Sequence, residues 1–389
     1  MKRVSILLLA VAMSATLMAP AAAAPPRDRE VRFATFNASL NRFNGGDLVA
    51  ELQDAAEGNV SDQLAAVLEI IRINDADVLL VNEFDYDPEA AAIFAELAGY
   101  PFHYVAPSNT GISSDHDLNN DDTVGGPDDA YGFGFFPGQY GMLVLSRYRI
   151  LDQRVRTFQN FLWADMPGAR LPTYADGTPW FTDEELEAVR LSSKSHWDVP
   201  IRINRRTVHF LVSHPTPPVF DGEEDRNGLR NADEIRFWAD YVLPNKSRYV
   251  YDDAGRTGGL ARGAWFVIAG DLNSDPYDGD SLPGAAQQVL LSPRVNTTLT
   301  PSSEGAVEAT LLQDAENDDH IADPRFDTAD FGEPPGNLRV DYVLPSKALR
   351  MMDGGVFWPT QADPLSELTG VFPFPSSDHR MVWIDVALP

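Results

Sequence analysis

Seven short apolar runs recur along this chain, at 31–36, 78–81, 142–145, 208–212, 265–269, 340–344 and 381–386. That recurrence limits what the chain can fold into more than any other feature. Each run is too short for a core helix and is apolar or alternating, which predicts strands. Between the first two, 62–74 places Leu64, Val67, Leu68 and Ile71 at helical spacing behind Ser61 as N-cap. Segments 88–97 and 231–241 also read as helices. Several strands per helix, with no fixed-period repeat or low-complexity linker, predict sheets packed face to face with helices outside, in one domain. The Gly/Pro/Asp-rich stretches 107–138 and 158–180 are expected as surface insertions and sites of function.

The chain opens with Lys2 and Arg3, an apolar run over 4–18 and small residues at 21–24. This is the pattern of a cleavable secretory signal over 1–24, and the run is short for a membrane span. The expectation is a single catalytic domain over 25–389 that is secreted or periplasmic, with no stable membrane anchor. Zero Cys excludes a disulfide framework, a thiolate nucleophile and a sulfur-bound zinc. The 58 Asp+Glu against 30 Lys+Arg give a net charge of −28, and four of the basic residues are Lys. Such a surface opposes holding nucleic acid or anionic lipid by bulk electrostatics. It leaves open a local site where a metal neutralises phosphate.

Polar residues cap these runs with regularity. Asn37 follows the first, Asn82 and Glu83 the second, His214 the fourth, and Asp271, Leu272 and Asn273 the fifth. Asp341 opens into Tyr342 within the sixth, and Ser376, Ser377, Asp378 and His379 precede the last. One such residue is a turn former or helix cap; six ends in series predict a shared rim. Glu, Asp and an Asn carbonyl are hard oxygen ligands, which favour Mg²⁺, with Mn²⁺ or Ca²⁺ as alternatives. Histidine supplies a group that titrates near neutrality. Without a Ser–His or Cys–His signature, the set predicts direct attack by water on an activated ester. Phosphate esters need such neutralisation most.

The motifs Thr35-Phe36-Asn37, Asn82-Glu83-Phe84, Tyr140-Gly141, Leu145-Ser146-Arg147, Ser213-His214, Gly270-Asp271-Leu272-Asn273, Arg339-Val340-Asp341-Tyr342 and Ser377-Asp378-His379 stand in order. In that order they resemble the endonuclease/exonuclease/phosphatase family, over about 32–386. The family includes pancreatic-type deoxyribonucleases, abasic-site endonucleases, inositol phosphatases and secreted sphingomyelinases. The resemblance implies an α+β fold, a four-layer α/β sandwich of two packed mixed sheets. It further implies that Asn37 and Glu83 hold the divalent cation, with Asp378 at or beside it. Asp271 and Asn273 would align and activate the water. His379, partnered by Asp341, would contact the scissile phosphate, and His214 would donate a proton to the leaving oxygen. Tyr140 is carried over as substrate-binding.

One departure narrows the substrate. Deoxyribonucleases of the family tend to carry a basic residue two positions after the metal-binding Glu, where this chain has Asp85. No Lys or Arg occurs between Ile73 and Met142, so long duplex DNA would meet like charge. The expected substrate is a small phosphomono- or diester, with Arg42, Arg226 and Arg230 gripping a terminal phosphate. The alternatives are an extracellular nuclease, a phospholipid phosphodiesterase of sphingomyelinase type and a non-catalytic binding module. No obligate protein partner is evident. The alternation of Asp115, Asp117, Asn119 and Asp121 suggests a structural Ca²⁺, although the Gly and flanking helices of an EF-hand are missing. His209 reads as a packing residue, and His196 as pocket wall or sheet edge. Phe133, Phe135, Phe136 and Trp163 are expected as a substrate wall, an interfacial tip or loop packing.

Overall fold

The computed structural model describes residues 30–313, 317–332 and 334–388; the leader expected over 1–24 lies outside the described residues. The strands in chain order are β1 (Glu30–Leu40), β2 (Val78–Phe84), β3 (Phe102–Tyr104), β4 (Met142–Ser146), β5 (Arg149–Ile150), β6 (Arg156–Thr157) and β7 (His196–Ile203). They continue as β8 (Arg206–Ser213), β9 (Trp265–Asp271), β10 (Ala329–Asp330), β11 (Asn337–Leu338), β12 (Asp341–Pro345), β13 (Arg350–Val356) and β14 (Val382–Ala387). One sheet runs β13-β14-β1-β2-β4-β3; the other runs β12-β9-β8-β7-β5, with β6 also paired to β7. Strands β10 and β11 form a separate ribbon. Both large sheets are mixed. Strand β1 is parallel to β2 and antiparallel to β14, while β8 is parallel to β9 and antiparallel to β7.

Side-chain alternation assigns the layers. Phe33, Val78, Leu80 and Val144 of the first sheet share one buried cluster with Trp197, Val199, Phe210, Val212 and Val267 of the second. Their strand neighbours Ala34, Phe36, Leu79, Val81 and Leu143 face the other way, onto the helices Asp47–Ala56, Asp62–Asn74 and Pro88–Leu97. On the second sheet, Leu211, Phe266, Ile268 and Leu344 face outward onto the helix Arg226–Tyr241. The result is helix, sheet, sheet, helix. Strands buried on both faces are continuously apolar, which is why the seven runs stood out. Ser61 caps its helix as expected, accepting a hydrogen bond from the Leu64 amide at 3.3 Å.

One expectation needs correction. The stretch 158–180 is not simply a surface insertion: Phe158, Phe161, Trp163 and Met166 are buried against Phe237 and Trp238. Trp163 is therefore no interfacial tip, and its indole N–H donates to Asp233 Oδ2 at 2.9 Å. Phe133 and Phe135 are exposed, edge to face with each other. In the loop expected to hold calcium, the side-chain oxygens accept local hydrogen bonds. Asp117 accepts the amides of Asp121 and Asp122, Asp121 that of Thr123, and Asp115 the Ser113 hydroxyl. These are local turn hydrogen bonds.

Strand register then sets where chemistry can occur. On the second sheet Asp271, the last residue of β9, pairs directly with Asp341, the first of β12. His214 leaves β8 beside them. On the first sheet Asn37 pairs with Asn82, one residue before Glu83. Gly270 makes the close approach behind this row possible: at φ +155, an added Cβ would stand 2.0 Å from the Ser213 carbonyl oxygen. Gly270→Ala should therefore push β8 from β9, costing about 1–3 kcal/mol by overpacking and displacing Asp271. Thermal melting together with turnover should show both losses; a variant equal to wild type in both would contradict this account.

Candidate active site

Asp271 lies at the centre. Its Oδ2 accepts a hydrogen bond from Asn37 Nδ2 at 3.1 Å, and lies 3.4 Å from His214 Nε2 and 3.6 Å from His379 Nε2. Its Oδ1 accepts the Asn273 amide at 2.8 Å, and its own amide donates to Asn82 Oδ1 at 3.3 Å. Asn37 Nδ2 also donates to Glu83 Oε1 at 3.1 Å, and Asn41 Nδ2 donates to Glu83 Oε2 at 2.6 Å. Behind His379, Nδ1 is 2.9 Å from Asp341 Oδ2, which accepts the Thr328 hydroxyl as well. Ser377 Oγ ties the His379 amide to the Asn37 carbonyl, fixing the entry to β14 against β1. Glu83, Tyr140 and Asn273 all take the left-handed backbone region, with φ of 57°, 55° and 50°. Non-glycine residues rarely adopt it, and such strain gathers at functional sites.

The electrostatics separate the two histidines. Burial would lower the His379 imidazole, but the carboxylates of Asp341 and Asp271 overcome it and hold the group well above its ordinary range. Burial, with the charges of Lys194 and His379, holds the His214 imidazole well below, so it is neutral near pH 7. Its Nδ1 is buried without a hydrogen-bond partner. Burial also raises the carboxyls of Asp271 and Glu83; Asp378 and Asp271 push Glu83 further in the same direction.

Glu83, Tyr140, His214, Asp271, Asn273, Asp378, His379 and Arg226 open onto one cavity of about 990 Å³. Its outer wall is apolar, including Leu118, Phe133, Trp163, Phe181 and Val219. Phe331 packs edge-on to His379, with ring centroids 5.4 Å apart. Arg226 pairs with Glu224 at the wall. Arg42 does not join the group. Its guanidinium is held by Glu51 at 2.6 Å and by the carbonyls of Ser39 and Asn41. Arg230 lines the cavity, yet its guanidinium donates to the carbonyls of Tyr131, Arg190 and Leu191. His196 is buried, between Ser192 Oγ and the Glu234 carbonyl, and burial pushes it down to about 4. His209 sits 2.7 Å from Asp198, away from this site. Asp85 accepts the amides of Arg42 and Tyr140 and so anchors two site loops.

The donor set fits a hard cation. Three carboxylates, Glu83, Asp271 and Asp378, sit with the Asn37 amide, and the mutual repulsion that raises Glu83 is what a bound cation would relieve. Asp271, Asp341 and His379 also bring one ligand-type atom each within 4.8 Å of one another and could hold an ion. Sequence reasoning missed Lys194, which lines the same cavity. The signal was its rarity, since this chain uses Lys at four positions, Lys2, Lys194, Lys246 and Lys347.

Among the described residues no helix is long and apolar enough to cross a membrane. A family model described as "Endonuclease/Exonuclease/phosphatase family" matches residues 34–379. No curated protein matches the chain. Among solved structures, the endonuclease/exonuclease/phosphatase from Beutenbergia cavernae DSM 12333 is similar at 18% identity and a TM-score of 0.49, over 92% of this chain and 72% of that one. Beta toxin from Staphylococcus aureus is similar at 13% identity and a TM-score of 0.46, over 91% and 99%. The human Nocturnin catalytic domain with bound sulfate anion is similar at 14% identity and a TM-score of 0.44, over 93% and 95%.

Proposed function

The chain belongs to the endonuclease/exonuclease/phosphatase family, and from that premise we propose that it is a divalent-metal-dependent phosphoesterase acting on small phosphomono- or diesters. Members of the family act on phosphoesters or nucleic acids and commonly use divalent cations. The observation that carries the reading is the position of Asp271, whose Oδ2 faces Asn37, His214 and His379 while Oδ1 is fixed by the Asn273 amide. A carboxylate held on one oxygen by a backbone amide, with the other among the Asn37 amide and two histidines at the cavity, is placed to orient a water and accept its proton. Its raised pKa brings it nearer the value useful for a base.

Glu83, Asn37 and Asp378 would hold the cation, which when bound supplies charge neutralisation and orientation of the phosphoryl oxygens. His379, charged and anchored through Nδ1, would present Nε2–H to a phosphoryl oxygen. The neutral state of His214 weakens the proton-donor role expected for it; as a neutral imidazole it would donate a hydrogen bond from Nε2 instead. The net charge of −28 and the absence of Lys and Arg between Ile73 and Met142 favour a small ester over a polynucleotide. Export rests on the leader sequence alone and stays part of the proposal.

The test is release of phosphate or nitrophenol from a panel of mono- and diesters by the purified protein, with and without chelator. Turnover should require Mg²⁺ and fall about 10²-fold or more with EDTA, since the cation contributes several kcal/mol to the transition state. Plasmid nicking without release from the panel would favour the nuclease. Choline-phosphate release from sphingomyelin vesicles would favour the phospholipid reading. Silence on all substrates with Mg²⁺, Mn²⁺ and Ca²⁺ would leave a binding module.

A further inference from the structure

Lys194 is a buried charged group at the cavity that the proposed reaction does not use. The residue is 6% exposed and lines the same cavity as Glu83, His214, Asp271, Asp378 and His379. A buried ammonium that serves packing is paired or hydrogen-bonded, because leaving it alone costs several kcal/mol. Nothing among the described residues meets it in that way. The nearest candidate, Glu234, has its oxygens engaged: Oε1 accepts the Ser193 amide at 2.7 Å and the Ser193 hydroxyl at 3.1 Å, and Oε2 accepts the Thr216 amide at 2.7 Å.

Those same bonds hold the ammonium's backbone rigidly. Ser193 and Thr216 flank Lys194 and His214 on adjacent strand ends, where His196 pairs with Ser213, so Glu234 clips the two segments together. The Lys194 carbonyl accepts the Asn109 amide at 2.8 Å. On the other side, Gly132 lies so close that an added Cβ would stand 1.8 Å from the Ser193 carbonyl oxygen. A buried cation on a backbone held in this way thus lines the cavity that Asp271 and His379 also line.

We infer that Lys194 is a catalytic residue whose ammonium binds a non-bridging oxygen of the reacting phosphoryl group, adding a fixed positive charge to that of His379. The inference rests on the phosphoesterase reading. It assigns the group that receives anionic charge as the transition state forms, where a preorganised donor acts most strongly. Burial lowers the ammonium pKa and the carboxylates of Glu234, Glu83 and Asp271 oppose that only in part, so an incoming phosphate would favour the charged form further.

The experiment uses the full chain with Mg²⁺, p-nitrophenyl phosphate and bis(p-nitrophenyl) phosphate as substrates, and calorimetric binding of inorganic phosphate. Lys194→Met should lower kcat about 10²–10³-fold, the range for loss of one preorganised donor, and weaken phosphate binding. Its melting temperature should hold or rise, because a buried charge is gone. In Lys194→Ala the vacated volume opens onto the cavity, so added methylammonium should restore part of the lost rate. Active wild type with Lys194→Met unchanged in kcat and phosphate affinity would overturn the Lys194 assignment alone. A rate loss in Lys194→Ala that methylammonium leaves untouched would make the role structural and overturn it too. Wild type that turns over neither ester and binds no phosphate would overturn this inference together with the phosphoesterase reading.

Discussion

Asp271→Asn is expected to lower turnover about 10²–10⁴-fold, the usual range for losing a positioned base, without unfolding the protein. The substitution keeps the shape and leaves Oδ1 to accept the Asn273 amide. It replaces Oδ2 with an amide that cannot take a proton. That amide would also face Asn37 Nδ2 donor to donor, and His379 would lose one of its two neighbouring carboxylates. Because burial already disfavours the Asp271 charge, the neutral variant should melt at or above the wild-type temperature. Turnover within tenfold of wild type, in a folded variant, would remove Asp271 from the centre of the mechanism.

The second large effect concerns a pair that acts as one unit. His379→Gln should also cost about 10²–10⁴-fold in kcat. Asp341→Asn should cost less, because Asp341 reaches the reaction through the 2.9 Å contact to His379 Nδ1 and a shared hydrogen bond from Thr328. The double variant should then be no worse than His379→Gln alone, since residues acting through one another are not additive. Measuring kcat for all four members of the cycle checks this. Fully additive losses would show that Asp341 has a role of its own, for instance as a ligand within the Asp271–Asp341–His379 cluster.

The strand-end residues were legible because the fold buries both faces of its central strands. Continuous apolar runs then end abruptly where the sheets meet solvent, and whatever polar residue stands there is on the rim. Strand β7 was not legible, because His196, Asp198 and Pro200 interrupt its apolar pattern. The structure accommodates each one. Asp198 accepts the Tyr241 hydroxyl and faces His209. Pro200, which cannot donate to a ladder, falls between the short partners β5 and β6, which pair at 201–202 and 197–198. Lys194 precedes that unread strand and was missed with it. The start of the helix at Arg226 was hidden by Asn227 and Gly228, both poor helix formers. Alternating Asp and Asn can converge on an ion or fold back on their own amides, and spacing alone does not distinguish the two.

The candidate active site takes Asn37 and Glu83 from one sheet and His214, Asp271 and Asn273 from the other, and among the described residues these sheets share no strand pairing. What aligns them is the slab of side chains between them, typified by Phe33 against Phe210 at 5.7 Å, together with the hydrogen bonds of Asp271 to Asn37 and Asn82 at the rim. Hydrogen-bonded ladders resist sliding, whereas apolar faces in contact resist separation far more than shear. The geometry of the site therefore depends on the packing between two stiff plates and on a few hydrogen bonds at their rim. Slippage of a fraction of an ångström would misalign donor and acceptor while each plate, and its spectroscopic signature, stayed whole.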